Sequence, residues 1–220
     1  LGARPGEHIL EIGCGWGGFA MAAARRGINV TGLTLSTEQL AWARRQIAEA
    51  GFADRVDLRL EDYRDTQGRF DHAVSIEMLE AVGEDYWPAY FRMLHDRVRP
   101  GGRIGLHGIT IAEDRFEDYR RRPDFIQRYI FPGGMLPTPK RLEAESTDGG
   151  LAVVDSTGLG QHYATTLLQW DARFVQALPR IRQLGFDEYF INMWRYYLAY
   201  CYAGFRTGSI DVKRLVLRRP

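Results

Sequence analysis

Cysteine is scarce in this chain. The 220 residues hold two, Cys14 and Cys201, too few for a disulfide framework and suited to a reducing cytoplasm. An excess of either charge is also missing: 29 Arg and Lys face 28 Asp and Glu, a formal net charge of +1. That balance gives no reason to propose a nucleic-acid partner. Lysine itself is rare, at two against 27 arginines, a bias that GC-rich bacterial coding produces. No apolar run approaches the length of a membrane span, and the sequence as it stands opens on no signal peptide. Internal repeats and low-complexity tracts are lacking too. What remains is an ordinary globular composition, 45% hydrophobic and 26% charged, over a length at the upper end of one domain. The chain starts at Leu1, without methionine and almost at once in its first strand, so we expect a further N-terminal part to precede it.

Glycine in a patterned setting is what the chain does have. An apolar run over residues 7–12 leads into EIGCGWGGF, Glu11 to Phe19, and then into an alanine-rich helical stretch. Strand, glycine turn and helix is the context in which such a loop binds a ligand. Gly13, Gly15 and Gly17 let the backbone turn tightly and approach a ligand closely, and the helix that follows offers free N–H groups. The spacing is not that of a GxGxxG dinucleotide loop.

Strands are expected over 8–12, 28–33, 56–60, 70–76 and 103–111, with helices over 17–26, 36–49 and 86–98 between them. Arg99-Pro100-Gly101-Gly102 should close the third helix. This alternation predicts an α/β fold, a mostly parallel sheet with helices on its faces. Residues 112–150 read as an insertion of charged helical pieces around a Pro- and Gly-bounded loop, able to roof the ligand site. A strand over 151–157, helices over 163–178 and 186–205, and a last strand over 212–218, at a sheet edge, complete the chain.

The acid-opened G-C-G-W-G-G run resembles motif I of the class I methyltransferases that use S-adenosylmethionine (SAM). The resemblance implies a Rossmann-like, seven-stranded fold in which Glu11 holds the methionine end of the cofactor and Gly13, Gly15 and Gly17 pack against it. Ligands of open α/β sheets sit outside the carboxyl ends of the strands. Strand two ends in Thr34-Leu35-Ser36, with Gln39 one turn on, so neutral hydrogen bonds replace the usual ribose-binding acid. Strand three ends in Glu61-Asp62-Tyr63, where Asp62 could bond the adenine amino group and Tyr63 cover its face. Ser75 and Ile76, closing strand four, would line the other side. A solvated acidic loop is the bland reading of the Asp62 segment.

The combination GCGWGG, LTLSTEQ, EDYRD, SIEMLEAVG, YIFPGGMLP, HYATTL and YYLAYCYAGFR strongly resembles the cyclopropane fatty acid synthase family, which includes the mycolic acid cyclopropane synthases and related fatty acid methyltransferases. The resemblance runs from about Ile9 to Arg218 and implies one catalytic domain over 1–220. It implies methyl transfer from SAM to a cis double bond in an unsaturated phospholipid acyl chain, reached peripherally from the cytoplasmic membrane surface. Attack by the alkene leaves a carbocation, and loss of a proton from the transferred methyl closes a cyclopropane ring. Water would quench the cation and must be excluded. The family is understood to use bound bicarbonate as the proton acceptor; by resemblance Glu80, His107 and Tyr197 would hold it, with the Ile109 backbone. No metal is implied. A homodimer is compatible with the sequence, which leaves the oligomeric state open.

Bland readings stand beside these. Glu80 could be a surface acid at a helix start, His107 a satisfied core histidine in an apolar strand, and Tyr197 part of an aromatic stripe of core and tunnel wall. His8 and His95 read as surface residues, and His162-Tyr163 has no chemical step. The chain also departs from relatives: Glu77 stands where many have glycine, Ala81 where several have histidine, and Met135 in the FPGG-x-LP position held elsewhere by Cys or Glu. The same carbocation can instead undergo a hydride shift and yield a methylene- or methyl-branched chain, and the sequence leaves ring against branch open. A module that only binds SAM or lipid is the reading from outside the enzymes; retention of Glu11, Glu80, His107 and Tyr197 together argues against it.

Overall fold

Ile9 and Leu10 are adjacent in strand β1 (His8–Ile12) yet belong to two different hydrophobic cores, because successive strand side chains point to opposite faces. Ala73 and Val74 divide in the same way in β4 (Phe70–Ile76). A sheet apolar on both faces needs helices on both, and the chain supplies them. The computed structural model describes all of residues 1–220. The remaining strands are β2 (Asn29–Thr34), β3 (Val56–Leu60), β5 (Val98–Ile111), β6 (Ala152–Gly158) and β7 (Ile210–Arg218). The helices are α1 (Gly18–Ala24), α2 (Thr37–Glu49), α3 (Leu79–Val82), α4 (Trp87–Arg97), α5 (Phe116–Arg121), α6 (Phe125–Tyr129), α7 (Pro139–Asp148), α8 (Gly160–Gln183) and α9 (Glu188–Thr207).

The sheet order is β3-β2-β1-β4-β5-β7-β6. Strands β1 to β5 are parallel, and β7 runs antiparallel between β5 and β6. Helices α1 and α2 cover one face through Ala20, Ala23, Ala43 and Ile47. On the other face α4 buries Trp87, Tyr90, Phe91 and Leu94 at 0% exposure, a packing unit in which truncating one aromatic costs about 3–5 kcal/mol. A third core joins α8 and α9 to β7 through Leu167, Leu198, Phe205 and Val212. Strand order reverses between β1 and β4, and a ligand crevice opens beyond the carboxyl ends of two such strands. The glycine turn follows β1 and Glu77 follows β4, so both reach that crevice.

Several expectations need correction. The last strand is not at an edge: β7 is nine residues long and pairs with β5 along its length, from Arg103↔Arg218 to Ile111↔Ile210. Buried Val212, Leu215 and Leu217 fit it for an interior position, while the mostly exposed β6 takes the edge. Pro100-Gly101-Gly102 does not close a helix into a loop; it lies inside β5, which starts at Val98 and is 14 residues long. Gly102 is required there, since a Cβ would stand 2.3 Å from the Asp71 carbonyl. Helix α8 runs on through Pro179, close to its end, and forgoes there only the one N–H bond to the carbonyl four residues earlier. The insertion divides in two: α7 packs beneath α4 with Leu142 at 1% exposure, and only the segment around α5, α6 and the Pro-Gly loop roofs a cavity. His8 is half-buried and bonds the Thr31 hydroxyl at 2.9 Å. No helix is long and apolar enough to cross a membrane.

Candidate active site

The glycine turn adopts the backbone that only glycine holds without strain: Gly13, Gly15 and Gly17 have φ of +80°, +51° and +85°. A Cβ on Gly17 would stand 3.0 Å from Ala43, and one on Gly13 3.4 Å from the Met78 sulfur, so these two glycines serve packing. Gly15 differs, because a Cβ there would meet nothing within 4 Å and would project into open space. Beside the turn, Glu11 is 4% exposed and its Oε2 is buried without a partner. Burial raises its pKa from 4.5 to about 8, against the nearby Ala20 N–H. A buried carboxyl with an unpartnered oxygen, beside a glycine turn whose open side a Cβ would fill, fits a ligand with an ammonium group, whose charge would favour the ionised form, as the methionine end of SAM has.

The other cofactor positions are more mixed. Thr34 is buried, donates to Gln39 Oε1 at 3.1 Å and accepts from the Ser36 N–H at 3.1 Å. Ser36 caps α2 by accepting from the Gln39 N–H, and Leu35 is 68% exposed. These four residues therefore form one preorganised corner at the end of β2, with the Gln39 amide N–H groups unused. Asp62 is gripped by Arg64, two hydrogen bonds of 2.9 and 2.7 Å from the guanidinium, and that bond holds its pKa down. It stays an ionised acceptor. Tyr63 packs edge-on against Tyr90 at 5.1 Å, toward the core. Ser75 is fully buried and accepts from the Tyr90 hydroxyl at 2.5 Å, so its side chain lines no ligand surface, whereas Ile76 is 44% exposed.

Beyond β4 a cavity of about 930 Å³ opens, within the size range of small-ligand sites. Glu77, Glu80, Ile109 and Tyr197 line it, as do Phe131 and Met135 from the insertion; His107, Glu11, the glycine turn, Thr34 and Gln39 do not. The roof thus covers the Glu80 side and not the glycine turn. Glu80 is no surface acid. Its Oε1 accepts from the Ile109 N–H at 2.5 Å, its Oε2 is buried with no partner, and burial raises its pKa to about 7. The Ile109 N–H is therefore already used by Glu80 and is not free for another anion. Tyr197 lies on α9 against the Cys201 thiol, and burial pushes both groups up, the thiol to about 12. The stripe around Tyr197 divides: Trp194, Tyr197 and Tyr202 pack against the third core, whereas Tyr189, Tyr196 and Tyr200 are 68%, 53% and 40% exposed.

His107 lies in β5 two residues before Ile109, so the two share a sheet face. Its Nδ1 is buried without a hydrogen bond, 3.7 Å from Glu77 Oε1, so the expectation of a satisfied core histidine fails. Two neighbours had no role in the sequence reading. Tyr163 donates its hydroxyl to Glu77 Oε1, and its ring lies 6.3 Å from that of His107. His162, next to it, is exposed. The departure from glycine at Glu77 was the available signal.

Fold, glycine cradle and orphaned acids are together those of a class I SAM-dependent methyltransferase. The chain belongs to the family described as mycolic acid cyclopropane synthetase, which matches residues 1–215. It is 46% identical over 219 residues to the tuberculostearic acid methyltransferase UfaA1 of Mycobacterium tuberculosis, covering 99% of this chain and 51% of that one. It is 36% identical over 220 residues to the cyclopropane-fatty-acyl-phospholipid synthase of Escherichia coli, covering 100% and 55%. The chain thus spans about half the length of these relatives. The crystal structure of mycolic acid cyclopropane synthase CmaA1 complexed with SAH and CTAB superimposes with a TM-score of 0.90 at 29% identity, over 99% of this chain and 80% of that one.

Proposed function

We propose that the protein transfers a methyl group from SAM to a cis double bond of an unsaturated phospholipid acyl chain and forms a cyclopropane. The observation that carries this reading is Glu80: a carboxyl enclosed in a 930 Å³ cavity, one oxygen tied to the Ile109 backbone and the other unpartnered. SAM, when bound, supplies the methyl electrophile, and Glu11 with the Gly15 turn would hold its amino-acid end. Thr34, Gln39 and Asp62 would take its polar groups. Bicarbonate fits the second site and would supply a proton acceptor there. Burial raises the Glu80 pKa to about 7, so that a protonated form is populated at neutrality and can donate its Oε2–H to an anion that an ionised carboxylate would repel. Tyr197, whose hydroxyl burial keeps neutral, is a second donor, and His107, outside the cavity lining but on the same face of β5 as Ile109, would be a third group beside it. The apolar wall from Ile111, Ile130, Phe131, Met135 and Leu136 would exclude water while the carbocation on the acyl chain exists.

A branched product is the second reading, favoured by the 46% identity to a tuberculostearic acid methyltransferase. The acyl chain would come from a membrane surface: the turn between α8 and α9 and the start of α9 expose Leu184, Phe186 and Tyr189 by 64%, 46% and 68%, beside Arg180 and an Arg182 that pairs with Glu188. The test is mass spectrometry of unsaturated phospholipid vesicles after incubation of the full-length protein with methyl-labelled SAM, with and without bicarbonate. A gain of one CH2 with the double bond replaced by a ring supports cyclopropanation, and slowing without bicarbonate supports the anion site. An exocyclic alkene or methyl branch selects the second reading. Absence of any gain, with SAM bound, refutes both.

A further inference from the structure

Glu77 is the one non-glycine residue with positive φ, +52°, a region that side chains other than glycine seldom adopt. Its N–H donates to the His107 carbonyl at 2.7 Å, which latches the end of β4 onto β5. The side chain then reaches the same residue: Oε1 lies 3.7 Å from His107 Nδ1 while accepting the Tyr163 hydroxyl from α8. Three elements meet on one carboxylate at the cavity wall.

Nδ1 of His107 is buried and unpartnered, whereas Nε2 is not enclosed. A buried ring nitrogen without a partner is costly, and a gap of 3.7 Å closes to a hydrogen bond with a small side-chain rotation. Catalytic hydrogen bonds are often this long before ligand binds. Burial and the adjacent Glu77 charge push the Tyr163 hydroxyl well above its ordinary range, so it remains a neutral donor that fixes the carboxylate. One carboxylate oxygen can accept from both Tyr163 and His107.

We propose that Glu77 is a positioning residue that accepts the Nδ1–H of His107, with Tyr163 holding its carboxylate, so that Nε2 is the nitrogen presented to ligand as an acceptor. In a neutral imidazole the bond made by one nitrogen sets the tautomer of the other. An acceptor at Nε2 suits a ligand with a hydroxyl to donate, as bicarbonate has. The inference rests on the reading of His107 as a site residue. It also gives Tyr163 the role that the sequence left open.

The test is 15N NMR of the full-length protein labelled at histidine, with His107 assigned by loss of its signals in His107→Gln. Neutral His107 should carry its proton on Nδ1. Glu77→Gly, whose backbone suits φ of +52° and so keeps the fold, should shift the proton to Nε2. The same variant should lower kcat about tenfold or more with KM for SAM unchanged, the size expected for losing a hydrogen bond to a charged group. Tyr163→Phe should give a mixed tautomer. An Nε2–H tautomer in the unmodified protein, or the same tautomer in Glu77→Gly, overturns the proposal. A protein that shows the Nδ1–H tautomer but methylates no unsaturated lipid upholds the positioning role and removes the proposed function.

Discussion

Glu11 is 4% exposed with Oε2 unpartnered, and burial lifts its pKa from 4.5 to about 8. Between those two values the folded protein holds a proton that the unfolded chain has released. Stability of the ligand-free protein therefore falls as pH rises: the contribution is full below about 4.5, declines through neutrality and levels off above about 8. A pH of 7 lies about two and a half units above the unfolded pKa of 4.5 and below the folded one, which corresponds to a loss of about 3 kcal/mol. Glu80 acts in the same direction up to about 7. His8 opposes both, because burial lowers its pKa and stability is gained as the unfolded imidazole deprotonates. The comparison that isolates Glu11 is therefore a difference between the protein and Glu11→Gln. The amide cannot ionise, occupies the same space and keeps an acceptor for the Ala20 N–H.

Urea unfolding followed by tryptophan fluorescence, at several pH values between about 5 and 8, should show near-equal stability at the acid end. Toward pH 8 the variant should gain on the parent by about 1.4 kcal/mol per unit. SAM at about 100 times its dissociation constant should stabilise the parent by about 2.7 kcal/mol, and far less the variant, which has no charge to pair with the ammonium. Parallel pH curves would refute the burial argument. Equal stabilisation of both proteins by SAM would refute the assignment of Glu11 to the cofactor.

Glu80→Gln should retain SAM binding and lose roughly 100-fold or more in turnover, since the amide can donate a hydrogen bond to the anion but cannot exchange a proton with it; unchanged turnover would remove Glu80 from the mechanism. Gly15→Ala should cost roughly 1–2 kcal/mol of stability from its φ and weaken SAM binding at least tenfold, because its Cβ enters the space assigned to cofactor; isothermal titration reads the second effect, and unaltered affinity would place SAM elsewhere. Tyr90→Phe leaves the buried Ser75 hydroxyl unpaired and should lower stability by about 1–3 kcal/mol with kcat nearly constant. A collapse of kcat at full stability would show that Ser75 is not merely structural.

The parallel half of the fold was legible because each of its strands is a short apolar run bounded by turn chemistry, and β1, β3 and β4 fall where their periodicity placed them. The antiparallel end was not. Whether VKRLVLR lies at an edge or inside the sheet depends on what pairs with it, and the partner, β6, is a mostly exposed strand 50 residues away in the chain. Pro100 misled in the same way: its missing N–H reads as a terminator, yet β5 absorbs it where the β4 pairing shifts register between Phe70 and His72. At the site, residue types announced Glu11 and the glycines. Glu80 and His107 were named by family resemblance, while residue type alone left each a bland reading; burial removes that reading by leaving one atom on each without a partner. Glu77 is the sharpest case. Local propensity argues against a glutamate at φ +52°, and propensity is most instructive where it fails, since strained conformations cluster at functional sites. The strain there is spent on bringing a carboxylate within reach of a histidine that has no other buried partner.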